Sequence, residues 1–292
     1  MKPLAAAPAI AAAASGGAIE ARPSLPTRLA LLAEQSLRLE IETWPKPGLV
    51  SHVDNGSHSD MDAGTFRRSA TAIRPFFAEL AEAGARGAGM PALRKIGLRA
   101  ERAMLAATAG INTHRGAIFG LGLLCAAAGP GEATPGLGAM VARRWGRDIL
   151  GGPRLPDSHG ERACRRYGAG GARREAAEGF PSVYEIGVPA LREAERLAPG
   201  DAEARRVQAC FALIAAIEDT NLLHRGGLDG LRFAQRSTRA FLDRGGVAQA
   251  DWRAAAAAIH RDFVARRLSP GGAADLLAMS LFVNAVEHGA LQ

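Results

Sequence analysis

Apolar residues recur three and four positions apart along nearly the whole chain, and runs of alternating β-branched residues are absent. Leu29, Leu32, Leu37 and Ile41 predict a first helix, and Phe66, Ala70, Ile73, Phe77 and Leu80 predict a second, with Asp62 placed to cap its start. Further helices are predicted over 91–109, 115–128, 184–197 and 201–217, the last carrying Val207, Cys210, Phe211, Ile214 and Ile217 on one face. Two more follow over 226–242 and 247–267. A final one is opened by Ser269-Pro270, an N-cap followed by proline at the first helical position. The pattern is that of an all-α protein: a single multi-helix globular domain with polar site loops at the helix ends.

Two stretches depart from this rhythm. Residues 1–24 are rich in alanine and proline and read as a disordered extension. Alanine is too weakly apolar for a signal-peptide core, and no leucine run follows Leu4. Residues 129–171 are rich in glycine and proline, with a possible short helix over 139–150, and read as an insertion or lid within an all-α catalytic domain spanning 25–292.

Composition narrows the classes. A chain of 292 residues with 48 % apolar content can bury a substantial core. The net charge of +7 comes from arginine dispersed over the whole chain, while aromatics are only 5 %. A nucleic-acid binder would gather its charge in a stripe interleaved with aromatics, so small phosphorylated ligands fit better and nucleic acid is not expected. Cys125, Cys164 and Cys210 show no CxxC spacing and fit thiols in a reducing compartment. No apolar run approaches the roughly 18–20 residues that span a bilayer, so a cytoplasmic protein away from membranes is expected.

Five polar clusters interrupt the helices, all at predicted helix ends. In the first, Pro45 and Pro47 flank Lys46, one of only three lysines, and His58, Asp60 and Asp62 follow. Lysine offers a point charge for phosphate, histidine a proton carrier, and the i, i+2 carboxylates a Mg²⁺ pair, although Asp62 equally reads as a helix cap. The second, Asn112-Thr113-His114-Arg115-Gly116, opens a helix, where backbone N–H groups and Arg115 would attract phosphate. The third runs from Ser158-His159-Gly160 to Gly171-Ala172-Arg173-Arg174-Glu175 and has the makings of an anion cradle. The fourth, Glu218-Asp219-Thr220-Asn221 with His224-Arg225 behind it, reads as a helix C-terminus, where two carboxylates predict a bound cation or a pairing with Arg225. In the fifth, Ser269-Pro270-Gly271-Gly272 leads to Asp275, a favourable partner for the helix dipole. No catalytic triad, HExxH, GxxxxGK[ST] or GxGxxG pattern is present.

Taken in order, Pro45-Lys46-Pro47-Gly48-Leu49-Val50, Gly56-Ser57-His58 with Asp60-Met61-Asp62, Asn112-Thr113-His114-Arg115-Gly116, Gly171-Ala172-Arg173 with Glu175-Ala176, Glu218-Asp219-Thr220-Asn221, and Ser269-Pro270-Gly271-Gly272 with Ala274-Asp275-Leu276-Leu277 resemble the triphosphoribosyl-dephospho-CoA synthases. The resemblance runs from about residue 29 to 288 and departs at Arg174, where that family's pattern has a small residue. It implies an enzyme that transfers the triphosphoribosyl group of ATP to the 2′-hydroxyl of 3′-dephospho-CoA and releases adenine. The product would be the prosthetic-group precursor for an acyl carrier subunit, delivered by a holo-acyl-carrier synthase. Glu42-Thr43-Trp44 and Ser51-His52-Val53-Asp54 look more like the malonate decarboxylase branch than the citrate lyase branch.

Under that resemblance the clusters acquire roles. Loss of adenine passes through an oxocarbenium-like state, which a nearby carboxylate stabilises, and Asp60, Glu175 and Asp219 are the candidates. His58 or His114 would protonate adenine or accept the hydroxyl proton. Lys46, Arg115 and Arg173, with Asn112 and Asn221, would hold the phosphates, and Mg²⁺ would sit at Asp62 or Asp219. Asp219→Asn is then expected to leave the fold intact while removing most adenine release. A Mg²⁺-dependent N-glycosyl hydrolase acting on a nucleotide or ADP-ribosyl substrate uses the same groups with water as acceptor. A non-catalytic nucleotide-binding assembly protein is the third reading.

Overall fold

Twelve α-helices and no strands are found among the described residues of a computed structural model, namely 23–131, 136–154 and 158–289. Nearly all of the expected N-terminal extension therefore lies outside the described residues. The helices are α1 (Leu25–Ile41), α2 (Ala63–Ala85), α3 (Met90–Ala107), α4 (Arg115–Ala128), α5 (Leu137–Gly151), α6 (His159–Tyr167), α7 (Gly171–Ala177), α8 (Val188–Leu197), α9 (Ala202–Ala216), α10 (Thr220–Asp243), α11 (Trp252–Ala265) and α12 (Gly271–His288). A π-helical turn, Val183–Gly187, runs into α8, and a 3₁₀ turn, Gly246–Ala248, precedes α11.

The core forms around α4 and α12, the two most apolar helices. Along α4, Ala117, Ile118 and every residue from Gly120 to Ala128 are buried, as expected of a helix that is hydrophobic all round. α2 lays Ala70, Ile73, Phe77 and Leu80 against it, on the predicted stripe. The two helices touch backbone to backbone: a Cβ on Gly84 would sit 1.8 Å from the Ala126 carbonyl oxygen, so any larger residue would push them apart. α1 packs on α2, and α12 packs on α4, α1 and α9. This arrangement brings the N-terminal ends of α4 and α12 to the same end of the molecule, where the site lies.

The chain departs from its predicted pattern in four places, each with a physical reason. First, α9 ends at Ala216, and Asp219 is the N-cap of α10, not the last turn of a helix. A carboxylate at a helix N-terminus is favourable, so the cation predicted to neutralise it there is not required. Second, Ser269 does not cap α12. Pro270 occupies the N-cap position, and the Ser269 hydroxyl is spent on His58. Third, α10 begins at Thr220, six residues before its predicted start, because Gly227 (φ 60°, ψ −159°) permits a kink that joins two helical pieces. Fourth, α6 and α7 emerge from what reads as a glycine-rich loop. Each buries a single residue, Ala163 and Ala176, so neither leaves an apolar stripe in the sequence.

Candidate active site

All five polar clusters meet at one end of the bundle. The ring of His58 reaches Ser269 (Nε2 to Oγ, 2.9 Å) and Arg225 (Nδ1 to Nη2, 3.3 Å), tying the first cluster to the fifth and fourth. Asp219 Oδ2 accepts the backbone N–H of Ala273 at 2.9 Å, tying the fourth to the fifth. Asp275 lies so close to Gly116 that a Cβ there would come within 2.0 Å of Oδ2, tying the fifth to the second. A Cβ on Gly160 would lie 3.6 Å from Thr220 Oγ1, and one on Gly171 would lie 3.8 Å from Thr220 Cγ2, which places the third cluster beside the fourth.

One side of this end is acidic. Asp219 is buried, and its carboxylate accepts N–H groups from Asn221 (2.7 Å), Leu222 (3.2 Å), Ala273 and Gly272, thereby capping α10 and α12 together. A carboxylate offers about four lone-pair sites, so Asp219 is fully engaged. Glu40, near the end of α1, is buried with Lys46, whose ammonium forms an ion pair with Glu40 Oε1 and donates to the Glu40 carbonyl at 2.7 Å. Lys46 is 0 % exposed, so the lysine expected to hold phosphate serves as the internal counter-ion of Glu40. Asp275 completes the acidic side from the first turns of α12, taking the N–H of Ala117. Burial pushes its carboxyl well above the usual range, and the negative charges of Glu40 and Asp219 add to the effect.

His114, the N-cap of α4, stands at the edge of this acidic group. Ser69 Oγ accepts from Thr113 Oγ1 (2.7 Å) and lies 2.7 Å from His114 Nδ1. The other ring nitrogen, Nε2, is buried and has no hydrogen-bond partner among the described residues. Burial, reinforced by Lys46, lowers the His114 pKa to about 3. A ring held neutral in this way is a poor proton donor.

Basic side chains gather where α6 meets α10. His159 and His224 stack with ring centroids 3.9 Å apart. Burial first, then the charges of His159, Arg162 and Arg225, depress the His224 pKa, a measure of how densely positive this surface is. Arg225 holds the first-cluster loop through the Ser57 carbonyl (3.3 Å) and His58. Burial and then Arg225 lower the His58 pKa, while the exposed Asp60, 3.4 Å from Nδ1, opposes them.

The other expected residues have local duties. Asp62 caps α2, its Oδ1 accepting both the N–H and the hydroxyl of Thr65 at 2.7 and 2.8 Å. Asn112 accepts the N–H of Arg115 (3.2 Å), and Arg115 Nε pairs with Glu101 (3.0 Å). The Asn221 amide lies against Gly271, where a Cβ would meet Nδ2 at 2.9 Å. Arg173 stands away from the phosphate role expected of it. Its guanidinium donates to the carbonyls of Ile149, Leu150 (3.0 Å), Gly152 (2.9 Å) and Pro153 (2.8 Å) and so closes the C-terminal end of α5. Glu175 likewise holds Ser182 through its N–H (2.8 Å) and hydroxyl (2.9 Å). Among the described residues no group of three or more His, Cys, Asp or Glu side chains is arranged to hold a metal ion. Asp62 and Asp219, the residues expected to hold Mg²⁺, both serve as helix caps.

Comparison with known proteins identifies the family. The profile of the family described as CitG: ATP:dephospho-CoA triphosphoribosyl transferase matches residues 26–292. A probable 2-(5″-triphosphoribosyl)-3′-dephosphocoenzyme-A synthase of Stutzerimonas stutzeri (strain A1501) is 44 % identical over 269 residues, covering 90 % of this chain and 92 % of its own. Proteins of the same name from Acinetobacter calcoaceticus and Pseudomonas fluorescens (strain Pf0-1) are 40 % and 42 % identical, over 89 % and 92 % of this chain and 91 % and 95 % of theirs. No solved structure matches the chain. Among the described residues no helix is long and apolar enough to cross a membrane. With the profile spanning all but the first 25 residues, the chain belongs to the CitG family of ATP:dephospho-CoA triphosphoribosyl transferases.

Proposed function

We propose that this protein transfers the triphosphoribosyl group of ATP to the 2′-hydroxyl of 3′-dephospho-CoA in the cytoplasm, releasing adenine. The observation that carries the reading is the meeting of the polar clusters at the starts of α4, α10 and α12, beside the basic side chains of Arg162 and Arg225. A triphosphate is the most negative part of ATP, and helix N-termini and arginine side chains suit it. α6 carries Arg162, so this part of the Gly/Pro-rich segment would contact the phosphates. Arg115 and Asn221, at the starts of α4 and α10, remain candidates for the same task.

The product, on this reading, is the prosthetic-group precursor for the acyl carrier subunit of malonate decarboxylase. The branch rests on the resemblance carried by Glu42-Thr43-Trp44 and Ser51-His52-Val53-Asp54. The test is to incubate the protein with MgATP and 3′-dephospho-CoA, omitting each in turn, and to follow free adenine and product mass. Adenine and a triphosphoribosyl adduct that both require the acceptor are expected. Adenine without the acceptor would mark a hydrolase, and ATP binding without turnover would mark an assembly protein. Conversion of purified apo acyl carrier subunits, from malonate decarboxylase and from citrate lyase, distinguishes the branches.

A further inference from the structure

The loop of residues 42–58, between α1 and α2, carries His58 to the point where its ring meets Ser269 and Arg225. The loop is held from α11, by a histidine that belongs to none of the five clusters. His260 is buried, and the loop engages both of its ring nitrogens: Nδ1 lies 2.5 Å from the Lys46 carbonyl oxygen, and Nε2 lies 3.2 Å from Asp54 Oδ1. A carbonyl and a carboxylate only accept, so the bridging ring donates from each nitrogen. One side chain thus fixes the loop at two separated points.

The hold on Asp54 passes along the chain toward His58. The same Asp54 oxygen accepts the Gly56 N–H (2.9 Å), and the Asn55 carbonyl accepts the His58 N–H (3.1 Å). Packing does not close this face, because a cleft of about 400 Å³ opens beside the ring, lined by Asp54, Asn55, Gly56, Arg261 and Val264. The end of the loop is tied separately, the Ser57 hydroxyl donating to the Leu268 carbonyl (2.6 Å). We infer that His260 is a positioning residue of the transfer reaction, holding the loop so that His58 stays where the first, fourth and fifth clusters meet. This assignment rests on the proposed function.

The test follows adenine release under conditions where each variant is folded. His260→Leu keeps the bulk and removes both donors, and it is expected to lower kcat about tenfold or more while KM for ATP changes by less than about threefold. In a His58→Ala background the same substitution should cost little further, because its effect is exerted through His58. An unchanged kcat in His260→Leu would overturn the assignment, and so would losses that multiply in the double variant. Should His260→Leu fail to fold, Asp54→Ala and Asp54→Asn take its place. The alanine variant should lose activity and the asparagine variant, whose side-chain oxygen still accepts from the ring, should recover most of it. Equal loss in both would overturn the assignment, as would no loss in either. A readout independent of turnover is the ¹⁵N resonances of the His58 ring, which are expected to move in His260→Leu, or in Asp54→Ala, although His58 and His260 share no hydrogen bond. Unmoved resonances would overturn the assignment. Moved resonances in a protein whose wild type transfers nothing would reject the proposed function alone.

Discussion

Asp219 and Ala273 are joined by a 2.9 Å hydrogen bond from the first turn of α12 to the N-cap carboxylate of α10. One buried side chain thus starts two helices and fixes the angle between them, and those helices present Arg225 and Asp275 to the site. Asp219→Asn replaces one carboxylate oxygen with an NH₂ that cannot accept, leaving backbone N–H groups without a partner. Stability is expected to fall by about 1–3 kcal/mol, read as a lower urea midpoint. This reverses the expectation that the substitution would leave the fold intact: any loss of adenine release should accompany the loss of stability.

The Glu40–Lys46 pair is predicted to be strongly coupled. Both groups are buried, so Lys46→Met alone leaves a carboxylate without its counter-ion and is expected to cost about 3–5 kcal/mol. Pairing it with Glu40→Gln should restore most of that loss. A double-mutant cycle in urea checks this, and additive costs would show that the two residues act independently. KM for ATP should not respond specifically to Lys46, because no part of it reaches the surface.

The contrast between these residues and their sequence signals shows what was legible beforehand. Helical periodicity revealed α2 and α9 because each buries a full stripe, and it missed α6 and α7 because each buries one alanine. The polar clusters were visible as breaks in that periodicity, and all five converge on one end. Individual roles were not legible. Lys46 between two prolines looks like a ligand contact until Glu40, six residues upstream, is found to be its partner. Arg173 looks like a phosphate clamp until the free carbonyls of α5 arrive from 20 or more residues away. Asp275 read as a simple dipole partner, since its nearness to Gly116 and Glu40 exists only after folding.

Arg173 offers a direct test of a structural role against a substrate-binding one. Arg173→Ala removes the donors that satisfy the last carbonyls of α5 and is expected to lower stability by about 1–2 kcal/mol. KM for ATP measured below the unfolding transition should change by less than about threefold, well under the 1.4 kcal/mol that a tenfold effect requires. A tenfold or larger rise in KM with unchanged stability would return Arg173 to the phosphate site.

His114 ties stability to pH in a specific window. In the folded protein the ring stays neutral down to about pH 3, whereas in the unfolded chain it takes a proton near its ordinary value of 6.5. Between those values the unfolded state binds more protons, so stability is full above pH 6.5 and declines as the pH falls, by about 1.4 kcal/mol per unit. Carboxylates with lowered pKa values, such as Glu34, also lose stability in acid, so the informative quantity is a difference between variants. His114→Asn keeps a polar partner for the Ser69 hydroxyl and removes the titrating ring. Between pH 6.5 and 5 the wild type is expected to lose about 2 kcal/mol more than this variant in urea titrations. Equal slopes would mean that the ring protonates freely in the folded state.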